Sequence, residues 1–162
     1  MQYNAKDSAD SLYELGKLYS DRGDLEVSAE KLIRASEIYN EVKAYPEFLK
    51  AQNELLRVYA EKGEFDQITS IKERLQDLVI QEGIELTSRT YYTLGISTAY
   101  KKQYDVSQDY MQKALSIALA KDAKEDVCYA VQGLATVYYN QKKFDDALRE
   151  LESLEVFFQV IS

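Results

Sequence analysis

Residues Tyr91 to Ala118, YYTLGISTAYKKQYDVSQDYMQKALSIA, carry a pattern that the rest of the chain repeats. Leu94-Gly95 opens it, Tyr100 falls at the end of the same segment, Tyr104 opens a second segment, and Ala114-Leu115 closes the inner face of that second segment. Apolar residues three and four positions apart on both sides of Lys102-Gln103 predict two amphipathic helices joined by a short turn.

The same frame occurs three more times. It fits Leu15-Gly16, Tyr19, Gly23-Asp24-Leu25, Ser28, Leu32 and Ala35. It fits again at Leu55-Leu56, Tyr59, Gly63-Glu64-Phe65, Ile68 and Leu75, and finally at Leu134-Ala135, Tyr138, Phe144, Ala147, Leu151 and Leu154. The residue after the leucine stands at positions 16, 56, 95 and 135, in steps of 40, 39 and 40. A fixed period of that size predicts a stacked array of helix pairs rather than one wrapped core.

The order Leu-Gly, Tyr, Gly-Asp/Glu-aromatic, Ala resembles the tetratricopeptide repeat and covers nearly the whole chain. The standard repeat is about 34 residues long, and the extra length here is best absorbed by lengthening both helices by nearly a turn. In that respect the chain is similar in style to the long repeats of bacterial peptide receptors and regulators. The resemblance implies an all-α, right-handed superhelical solenoid of four helix-turn-helix repeats, eight helices in all. The repeats are expected near 5–44, 46–83, 86–122 and 124–161, in a single array over 1–162.

Local signals sharpen this expectation. The first helix is expected over Ala5 to Asp21, with Leu12, Leu15, Leu18 and Tyr19 on one face and Gly16 admitting a neighbour closely. Gly23 should end it in a left-handed conformation, and Asp24 should cap the next helix, which runs to about Val42 and buries Leu32, Ile33, Ala35 and Ile38. Pro46 suits a first turn and biases Tyr45 towards an extended shape. Gly63 and Gly83 close the two helices of the second repeat, the latter running from Phe65 to about Gln81, and the third repeat begins near Leu86 or Thr87. At Lys102 and Lys142 a lysine replaces the turn glycine, which costs roughly 1 kcal/mol in a left-handed position and predicts looser helix ends. The last helices are expected from about Glu125 to Gln141 and from Asp145 onward.

Composition limits the function. The chain has 162 residues, one proline, one cysteine, no histidine and a formal charge of -8. An acidic chain is poorly matched to nucleic acid or to anionic membrane surfaces, both of which call for clustered Lys and Arg. No apolar run reaches the roughly 18 residues of a membrane span, and with the lone Cys128 a cytoplasmic location is expected. Without histidine, Ser-His-Asp and Cys-His nucleophiles and His-based zinc sites are excluded. The glycines stand apart, in no phosphate-binding frame, and the acidic pairs fall at helix starts, where they offset the helix dipole. No enzyme activity, cofactor or metal is implied.

Binding remains, and the resemblance indicates where. In tetratricopeptide arrays the first helix of each repeat lines the concave groove. The corresponding positions here are Tyr13 and Lys17, then Asn53 and Arg57, then Arg89, Tyr92 and Ile96, then Tyr129, Gln132, Thr136 and Tyr139. The cations suggest a protein or peptide ligand with acidic character, and the amides can hold a peptide backbone. Of the carboxylate-clamp positions in chaperone-binding members, only Arg89 is chemically close. Two other roles stay open: a sensory or regulatory segment of a larger protein, and a self-associating module. The C-terminal stretch is unusually apolar, with Leu154, Phe157, Phe158 and Ile161 as candidates for a homodimer contact, for a continuation into a longer array, or for local fold-back.

Overall fold

The structure is a computed structural model and describes residues 4–161. Among the described residues there are eight helices and no strand: α1 (Ala5–Asp21), α2 (Leu25–Glu41), α3 (Tyr45–Lys62), α4 (Phe65–Glu82), α5 (Ser88–Tyr100), α6 (Tyr104–Ala120), α7 (Lys124–Asn140) and α8 (Phe144–Ile161). The chain forms two compact units, one ending at Leu86 and one beginning at Thr87.

The turns share one geometry. A left-handed residue ends each helix from α1 to α7: Gly23, Lys43, Gly63, Gly83, Lys102, Asp122 and Lys142. After six of them the next amide bonds back five residues, as in Asp24 to Tyr19, Glu64 to Tyr59, Gln103 to Thr98 and Lys143 to Tyr138, at 2.8–3.0 Å. These bonds satisfy carbonyls that a helix end otherwise leaves free. The lysine turns close as tightly as the glycine turns, so the looser ends expected there are not seen. Lys43→Gly, Lys102→Gly and Lys142→Gly are each expected to stabilise the fold by about 0.5–1 kcal/mol, because glycine adopts positive φ without the Cβ penalty. Thermal midpoints of the single variants check this, and a lowered midpoint at all three would contradict it.

Four local expectations are corrected. Asp24 makes no capping bond, because its carboxylate takes the Arg22 guanidinium at 2.6 Å instead. Tyr45 is the first residue of α3 rather than extended; Ala44 carries the non-helical ψ of 71° and accepts from Phe48 N. In α1 the buried residues are Ala9, Gly16 and Ser20, while Leu15 and Leu18 are 42% and 65% exposed. Their counterparts one period on, Leu55 and Val58, are 3% and 0% exposed, because α2 packs over that side of α3. No helix precedes α1 among the described residues. Ile33, also expected inside, is 40% exposed.

Packing within each pair depends on two facing positions. They hold Gly16 and Ser28 in the first pair, Gly95 and Ser107 in the third, and Ala135 and Ala147 in the fourth. Ser28 Oγ donates to Gly16 O at 2.7 Å, and Ser107 Oγ donates to Gly95 O at 2.6 Å, both buried. In the second pair the two places hold Leu56 and Ile68, and α4 packs far more lightly on α3 than α2 does on α1. The outer face of α4 also differs. Where α2 buries Ala29, Leu32, Ser36 and Tyr39, α4 has Thr69, Lys72, Gln76 and Val79, a more polar set.

The second unit has two apolar clusters. Met111, Leu134 and Val137 pack with Tyr92, Ile96, Tyr104, Leu115 and Tyr138. Ala118, Val127 and Val131 pack with Leu115, Leu154 and Phe157.

Candidate functional site

In the first unit the predicted residues gather where α1 and α3 lie near each other. The Lys17 ammonium stands 5.3 Å from the centre of the Tyr13 ring and 3.9 Å from Glu14. Arg57 lies 3.8 Å from Glu54. Burial, then the Glu54 and Glu14 carboxylates, push the Tyr13 hydroxyl up to about 12, against the opposing charge of Arg57. Asn53 is buried, and its Oδ1 has no hydrogen-bond partner.

In the second unit α5 and α7 lie side by side and bring most of the predicted set together. Arg89 lies over the Tyr129 ring at 4.1 Å and bonds Asp126 at 3.0 Å, with Glu125 at 3.9 Å. Burial works to lower the Arg89 pKa, but the Asp126 bond and the surrounding carboxylates and Tyr129 outweigh it and raise it. Tyr92 and Tyr129 meet at 5.4 Å between ring centres. Beside them lies a hollow of about 440 Å³ lined by Tyr92, Ile96, Ala99, Tyr100, Met111, Gln132, Gly133, Thr136, Val137 and Asn140. Tyr139 does not line it; its ring packs edge-on against Phe144 at 5.5 Å.

Four predicted residues, Tyr92, Ile96, Gln132 and Thr136, therefore line one cavity. Its floor was not anticipated. Gly133 leaves room for Met111, since a Cβ there would lie 2.6 Å from Met111 Sδ. A glycine inside a helix costs about 1 kcal/mol relative to alanine, so its place in α7 was a readable signal of close packing.

The positive character expected of the groove is largely neutralised. Lys17, Arg57 and Arg89 each have a carboxylate within 4 Å. The self-association candidates also divide. Leu154 and Phe157 pack inward on the cluster of Ala118, Val127 and Val131, whereas Phe158 is exposed; the side chain of Ile161 lies outside the described residues.

No protein-family model matches the sequence, and no curated protein matches it. Among solved structures, a Podosopora anserina protein described as a kinesin light chain with nearly identical TPR-like repeats is similar in fold. The TM-score is 0.66 at 18% identity, over 96% of this chain and 78% of that one. The fold is the tetratricopeptide-like repeat. Its four helix pairs are those anticipated from the period, and in the second unit the hollow lies between the first helices of two tetratricopeptide-like pairs. Among the described residues no helix is long and apolar enough to cross a membrane.

Proposed function

We propose that the chain is a non-catalytic protein- or peptide-binding scaffold whose working surface in the second unit is the hollow between α5 and α7. One observation carries this reading: four residues expected to line a groove, Tyr92, Ile96, Gln132 and Thr136, surround a single cavity with an apolar floor. Such a cavity accepts one apolar or aromatic side chain of a peptide, while Gln132 and Asn140 on its wall can bond the backbone on either side. An apolar anchor fits better than an acidic one, because Arg89 is already held by Asp126. Affinity in the micromolar range is expected, since a short peptide must lose its own freedom to bind.

The test selects peptides from a random display library against the whole chain and measures their binding by calorimetry. Thr136 is exposed, so Thr136→Arg places a long cation at the rim without disturbing the core. It should weaken binding at least about tenfold, while the same change at exposed Ser116 on α6 should leave it unaltered. Selected peptides that bind Thr136→Arg as well as wild type, or a library that yields no binder, would exclude this surface.

A further inference from the structure

The repeat period assigns a partner position to every residue of an outer helix, so an uncovered face can be compared with its covered counterparts. On α8, Leu148, Leu151, Glu155 and Phe158 form one exposed stripe. Their counterparts on α2 are Ala29, Leu32, Ser36 and Tyr39, buried where α3 packs, and on α6 they are Gln108, Met111, Leu115 and Ala118, where α7 packs. On α1 the uncovered stripe is Ser8, Ser11, Leu15 and Leu18; its counterparts on α7 are Val127, Ala130, Leu134 and Val137, all buried under α6.

We infer that the open face of α8 binds the open face of α1 in a second copy of the chain, end to end, with the geometry that α6 and α7 have within one copy. The register follows from contacts already present. Met111 packs on Leu134 and Val137, so its counterpart Leu151 comes onto Leu15 and Leu18, apolar on apolar. Ala118 packs on Val127 and Val131, so Phe158 comes onto Ser8 and Leu12. There the larger side chain on one face meets the smaller on the other, and an aromatic already fills that place in α2 as Tyr39. Leu115 touches both clusters, so Glu155 falls between the two contacts, beside Ser11 of the α1 stripe, whose hydroxyl can donate to a carboxylate. The two faces differ, so the contact is heterologous and each copy keeps one free end.

The test uses two variants at exposed positions that the fold tolerates. Leu18→Arg blocks the α1 face, and Leu151→Glu blocks the α8 face. By light scattering, wild type should gain mass with concentration, each variant alone should stay monomeric, and an equal mixture of the two should reach twice the monomer mass and stop there. A wild type that remains monomeric at millimolar concentration overturns the inference. So does Leu18→Arg assembling by itself, which would show α8 pairing with α8, and so does a mixture that stays monomeric, which would mean that some other chain covers these faces.

Discussion

Gly16→Leu is expected to destabilise the first unit by about 3 kcal/mol, at the upper end of what overpacking costs. A Cβ at position 16 would lie 2.6 Å from Leu32 Cγ, 2.7 Å from Leu32 Cδ2 and 3.4 Å from Ser28 O. Leu32 of α2 is fully buried against Gly16 of α1, so its branch point has nowhere to move. The intruding side chain would also separate Ser28 from the Gly16 carbonyl that its hydroxyl holds. Gly95 provides the comparison. A Cβ there meets the flexible end of Met111, with Cε at 2.8 Å and Sδ at 3.0 Å, so Gly95→Ala should cost about 1 kcal/mol. Urea midpoints report both changes, and a Gly16→Leu protein within about 1 kcal/mol of wild type would show that α1 and α2 have room to separate. The second pair already shows the separated arrangement, with Leu56 and Ile68 at the two facing places and a lighter contact between α3 and α4.

Helix existence was readable because period and periodicity agree at every repeat, and the ends found in the structure lie within a residue or two of those expected. Burial on α1 was not readable. Leu15 looks like Leu55 in sequence, and only the presence of α2 beside α3 distinguishes their surroundings. The pairing of Arg89 with Asp126 joins residues 37 apart, just short of one period, so it depends on how closely α5 and α7 approach. The Tyr129 under Arg89 is its own counterpart one repeat later, and contacts of that kind follow from stacking rather than from any local motif. The floor of the hollow depends on Met111, which reaches its place only because Gly95 and Gly133 carry no side chain.

Truncation at one repeat position should give unequal costs in different helices. Leu32, Met111 and Leu151 occupy the same place in α2, α6 and α8, at 0%, 1% and 46% exposure. Leu32→Ala and Met111→Ala are each expected to destabilise their units by about 3–4 kcal/mol, within the range for buried leucine and methionine. Recovery by local collapse is limited in both cases. Leu32 faces Gly16, and Met111 lies against Gly95 and Gly133, residues without side chains to fill the space left behind. Met111→Ala also removes the floor of the hollow, so it should deepen the cavity and weaken any peptide anchored there. Leu151→Ala, in dilute solution, should change stability by less than about 0.5 kcal/mol, as an exposed surface position does. Its effect should appear instead in the concentration at which mass begins to rise, because the side chain becomes buried only when a second copy covers it. Equal costs at Met111 and Leu151 in dilute protein would mean that α8 is already covered within a single chain.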